Sequence, residues 1–107
     1  MSDCLFCKIV AGEIPSSKVC YAFNDIDPQA PTHFLVVPKA HIGSVSEITA
    51  DNSTVVAHIF EVIAKLTKEK GLDSYRVVSN IGEQAGQSVF HLHFHVLSGR
   101  DMTWPPG

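Results

Sequence analysis

The sequence predicts an α+β domain in which an antiparallel sheet carries one long and one short helix. Between residues 89 and 97, His91, His93 and His95 alternate with Leu92, Phe94 and Val96, which is the side-chain period of a strand. From about Thr49 to Lys70, the apolar residues Val56, Ile59, Ile63 and Leu66 recur at helical spacing. The run 75–80 is joined to the histidine strand by too few residues for a crossover helix, so the two should pair antiparallel.

In chain order, Asp3 can cap a short helix over 4–11 that stops at Gly12, with Cys4 and Cys7 sharing one face. A loop follows, then a short extended run over 18–23 and an irregular connection held open by Pro28 and Pro31. Residues 33–38 are almost continuously apolar, which marks a strand covered on both faces, and Pro38 ends it. After the loop around His41 comes the long helix, with Thr49 as cap candidate and Gly71 as its stop. The tail from Gly99 to Gly107 holds too many turn formers for a strand.

A chain of 107 residues is one domain, with no internal linker expected. Its formal charge of −3 and only eight scattered Lys and Arg give no footprint for a nucleic-acid backbone. No stretch has the length of a membrane span, and the N-terminus lacks a signal-peptide pattern, so a cytoplasmic protein is expected. Three cysteines in such a chain suggest free thiols or metal ligands rather than a disulfide framework.

Three imidazoles on one strand face are costly to bury unless each is hydrogen-bonded, so a purely structural row is a poor explanation. The loop 82–88 before it contains Gly82, Gly86 and the Ser88 hydroxyl, a setting in which backbone N–H groups can wrap an anion. A row of nucleophilic rings beside such a loop suggests chemistry on a phosphate, with His93, flanked by a ring on each side, as the nucleophile. The rival is a metal centre, since imidazoles two apart on a strand can both ligate zinc or iron. Nearby Asn80, Gln87 and Ser88 suit phosphate oxygens better than a metal.

The segment His91-Leu92-His93-Phe94-His95-Val96-Leu97 resembles the signature of the histidine triad family of nucleotide-binding hydrolases. The likeness extends through Phe23 to Lys39, Gly86 to Ser88 and the tail from Trp104, and is similar to the Hint branch of purine nucleoside phosphoramidate hydrolases. The resemblance implies a homodimer that binds a purine nucleoside monophosphate. It places the base among Phe6, Ile9, Ile14, Phe23 and Ile26, the ribose hydroxyls on Asp25, and the phosphate on Asn80, Gly86, Gln87, Ser88 and His95. His93 matches the residue that becomes nucleotidylated, His33 and His91 the supporting relay, and His95 and Ser88 the surroundings of the leaving amine. A histidine rather than a glutamine at 95 favours hydrolysis over nucleotidyl transfer. Trp104 would reach towards the partner's site.

The stretch from Pro15 to Phe23 is about five residues shorter than relatives usually have, so the first hairpin should be truncated or absent. Cys4, Cys7, His41 and His91 match a structural zinc site of some relatives, and no cofactor is expected to be required for catalysis. The alternatives are a non-catalytic purine mononucleotide-binding module, a dinucleoside polyphosphate hydrolase, and a metalloprotein that uses the triad as ligands.

Overall fold

Six of the seven residues of β2 (Thr32–Pro38) are buried, as an apolar run should be when both neighbours and both faces are covered. The computed structural model describes residues 20–106. Within them β2 pairs antiparallel on one side with β1 (Cys20–Asn24) and on the other with β4 (Phe94–Ser98), and β4 in turn pairs antiparallel with β3 (Arg76–Val78). The sheet order is therefore β1-β2-β4-β3. One long helix, α1 (Ser53–Glu69), covers one face.

Alternation decides what each face holds. Phe34 and Val36 of β2 and Phe94 and Val96 of β4 pack with Ile59, Val62 and Ile63 of α1 in the main core. The intervening residues face the other way: Leu35 and Val37 pack there with Tyr21, Phe23 and Val89. His95 is the register partner of Leu35, so it belongs to this second face, and His33 lies diagonally next to it.

Several boundaries differ from the sequence expectation. The histidine strand begins at Phe94 rather than 89, because the β2 ladder ends at Val36 with Phe94 and the β3 ladder ends at Val78 with His95. His91 and His93 therefore precede the strand. β3 keeps only three residues of the expected run 75–80. The helix is capped by Asn52, not Thr49: the Thr49 N–H donates to Asn52 Oδ1, which folds residues 49–52 into a turn ahead of the first helical residue. At the other end Gly71 takes φ +71°, where a side chain would be strained, and the helix stops as expected. The short helix 4–11 and most of the shortened segment 15–23 lie outside the described residues.

Candidate active site

His33, His93 and His95 share the sheet face opposite α1, and each has a determined hydrogen-bonding role. The Gln29 N–H donates to His33 Nδ1 at 3.0 Å, so a neutral His33 carries its proton on Nε2. That Nε2–H donates to His95 Nδ1 at 2.9 Å, which in turn puts the His95 proton on Nε2. His93 Nδ1–H donates to the His91 carbonyl at 2.7 Å, leaving the His93 lone pair on Nε2. A backbone oxygen, not a neighbouring ring, fixes the tautomer of the central histidine. The His93 and His95 rings meet edge to face, with centroids 5.0 Å apart.

His91 is wholly buried and turns away from this row: its Nε2–H donates to the Pro38 carbonyl at 2.9 Å, and its ring meets the exposed His41 at 5.0 Å. Asp25 completes the group. Its Oδ1 accepts the Asp27 N–H, while Oδ2 lies 3.4 Å from His33 Nε2 and 3.7 Å from His95 Nδ1.

The loop 82–88 is shaped by Gly82 at φ +89° and Gly86 at φ +98°, on either side of a 3-10 turn, Glu83–Ala85. Asn80, two residues beyond the end of β3, lies against Gly86. The Ser88 side chain is exposed beside them in sequence. Gln87 departs from the expected phosphate-binding role. Its Oε1 accepts the Gly82 N–H, its Nε2 donates to the Gly43 and Val89 carbonyls, and its own N–H donates to Gly82. Its donors are engaged with backbone carbonyls of the protein. Phe23 packs on Leu35 and Val37, and Ile26 is fully exposed. Phe6, Ile9, Ile14, Cys4 and Cys7 lie outside the described residues.

A family profile described as the C-terminal binding region of the scavenger mRNA decapping enzyme matches residues 3–104. An uncharacterized HIT-like protein of Synechococcus elongatus is 42% identical over 98% of this chain and 97% of its own. The crystal structure of a HIT family hydrolase from Legionella pneumophila superposes with a TM-score of 0.90 at 48% identity, covering 97% of this chain and 99% of that one. A histidine triad nucleotide-binding protein from Candida albicans superposes at 0.78 with 37% identity, over 95% and 82% of the two chains. The chain belongs to the histidine triad (HIT) family.

In this HIT protein burial keeps the triad neutral. Desolvation is the largest influence on His91, His93 and His95, and lowers the pKa of each. For His95 the neighbouring His93 and His33 add to it against the opposing pull of Asp25, and the value falls to about 4.

Asp25, His33 and His95 together are the donor set a divalent cation favours, and the distant Asp25 supplies the carboxylate that the local sequence around the triad lacks. The tautomers do not fit it. With Gln29 donating to Nδ1, the His33 proton occupies Nε2, the atom a metal would need. Sequence reasoning assigns no role to Gln29, whose contact with His33 is made by its backbone N–H and so leaves no side-chain signal.

Proposed function

We propose that this HIT protein hydrolyses purine nucleoside 5′-phosphoramidates through a nucleotidylated His93. The observation that carries the reading is the His93 ring itself: Nδ1 is tied to the His91 carbonyl, so the lone pair stands on Nε2 without deprotonation by another group. The hydrolase and nucleotide-binding descriptions borne by similar structures support the same class.

In the first step Nε2 of His93 attacks phosphorus and the P–N bond breaks, while the leaving amine takes a proton from His95. The His91 carbonyl stabilises the positive charge that develops on the attacking ring. A positively charged His95 at neutral pH requires an anion beside it; the bound phosphoryl group is that anion, and the second proton is taken up from solvent as substrate binds. In the second step water attacks phosphorus, the His93–phosphorus bond breaks, and the water proton goes to His95. The mononucleotide leaves and both rings return to their starting states. Asn80 and Ser88 hold phosphoryl oxygens, Asp25 takes the ribose hydroxyls, and Phe23 with the exposed Ile26 offers apolar surface to the base. Gly86 keeps the loop open through its positive φ.

The Hint branch, with aminoacyl-adenylate-like compounds among its substrates, is the assignment most consistent with this set of residues, and homodimerisation goes with it. A structural zinc also belongs to the proposal. His91 donates through Nε2, so Nδ1 is its ligand atom beside His41, with Cys4 and Cys7 as the remaining ligands. Rapid acid-free quenching of the protein with adenosine 5′-phosphoramidate, followed by peptide mass analysis, tests the mechanism: an adenylyl group on the peptide bearing His93 supports it, and turnover without any protein-bound adenylyl group rules it out.

A further inference from the structure

His93 stands outside both ladders that hold β4. The last β2 pair is Val36 with Phe94, the last β3 pair is Val78 with His95, and His93 precedes both. A nucleophile must nevertheless hold its position to within a fraction of an ångström for an in-line attack. The structure supplies a side-chain tie at this point. Ser79, the first residue beyond β3, donates its hydroxyl proton to the His93 carbonyl at 2.9 Å. On the far side, the Leu92 N–H donates to the Ile42 carbonyl, so the backbone on either side of the ring is anchored to a different segment.

We propose that Ser79 is a positioning residue for His93, replacing with its hydroxyl the ladder bonding that stops at the edge of the active site. The inference rests on the hydrolase reading for its effect on rate, but not for its effect on the ring. Two bonds act in series: Ser79 fixes the His93 carbonyl and hence the backbone, and His91 fixes the ring carried by that backbone. Loosening the first lets the His93 Cα move relative to the His91 carbonyl, so the Nδ1–H contact weakens. The Ser79 hydroxyl is engaged in this part-buried bond and is not itself one of the proposed phosphate or ribose contacts, so nucleotide affinity should be spared.

The test compares wild type, Ser79→Ala and Ser79→Thr by steady-state hydrolysis of adenosine 5′-phosphoramidate and by solvent exchange of the His93 Nδ1 proton in the unliganded protein. Ser79→Ala is expected to lower kcat about three- to tenfold with KM unchanged, in keeping with the loss of one neutral hydrogen bond. The ring proton should exchange several-fold faster while the α1 amides keep their protection, and Ser79→Thr, which retains the hydroxyl, should restore both. An unchanged kcat with unchanged ring exchange overturns the proposal. So does a loss shared equally by KM, kcat and α1 protection, which is general loosening of the fold. Should wild type show no turnover, the hydrolase reading fails and ring exchange alone decides: faster exchange in Ser79→Ala upholds the positioning role, and unchanged exchange removes it.

Discussion

Because the rings of the triad are held neutral by burial, the protein's response to acid follows from individual residues. On unfolding, His91, His93 and His95 return to the ordinary value near 6.5, while in the folded chain all three lie lower and His95 falls to about 4. As pH falls below 6.5 the unfolded chain therefore binds protons that the folded chain refuses. Stability is fully present above that value and is lost progressively towards pH 4. Urea midpoints should be lower at about pH 5 than at about pH 7.5 with an unchanged slope, and equal midpoints would contradict the burial account. The acid limb of kcat/KM should likewise lie below 6.5, because His93 must be unprotonated to attack. The central place of His93 in the alternation, which singles it out for the proposed nucleophile, was legible in the sequence. The tautomer of His93 was not, since the carbonyl that sets it becomes a partner only through the local fold.

At the scale of elements, the loop 82–88 is tied to its surroundings by Gln87. One buried amide joins the 3-10 turn at Gly82, the segment at Gly43 and the approach to the triad at Val89. Gln87→Ala should cost roughly 1–3 kcal/mol in urea unfolding, since it removes three hydrogen bonds to part-buried backbone groups. It should also lower kcat by disordering the loop, whereas a variant of wild-type stability and rate would show that the loop holds itself. The sequence resemblance placed Gln87 on the phosphate because residues adjacent in a motif were read as acting together. Gln87 and Ser88 point to different work, because the turn engages one side chain in the protein and leaves the other exposed. The helix and the central strand were read with more success, since a run of buried positions leaves its period in the sequence. The histidine strand was read too long: alternation persists through 91 and 93, but the neighbouring strands that would pair with it do not.

For the whole molecule, the two-faced packing and the placement of the imidazoles opposite α1 follow from the pattern of apolar residues, whereas the sheet order, beyond the pairing of β3 with β4, is set by contacts between segments far apart in the chain. The proposed dimer can be tested from the surface. β3 is an edge strand of three residues, and exposed Tyr75 and Phe60 are large apolar groups that a second copy would cover. Sedimentation should give the mass of a dimer, and a monomer at micromolar concentration would remove that part of the reading. The proposed zinc would tie the N-terminal segment to the sheet through His91 and His41. Metal analysis should find about one zinc per chain in wild type and none in Cys4→Ser, with thermal stability lost before activity. Retained stability in a metal-free protein would dissociate the fold from the metal.

The central claim is that the neutral His93 ring is a nucleophile towards a phosphoramidate. AMP release from adenosine 5′-phosphoramidate by the purified protein, with His93→Ala as control, tests it most directly. Turnover that is abolished in His93→Ala while AMP binding persists is the expected result. A folded wild-type protein that binds AMP but releases none from the phosphoramidate would contradict the claim and identify the site as a nucleotide-binding module.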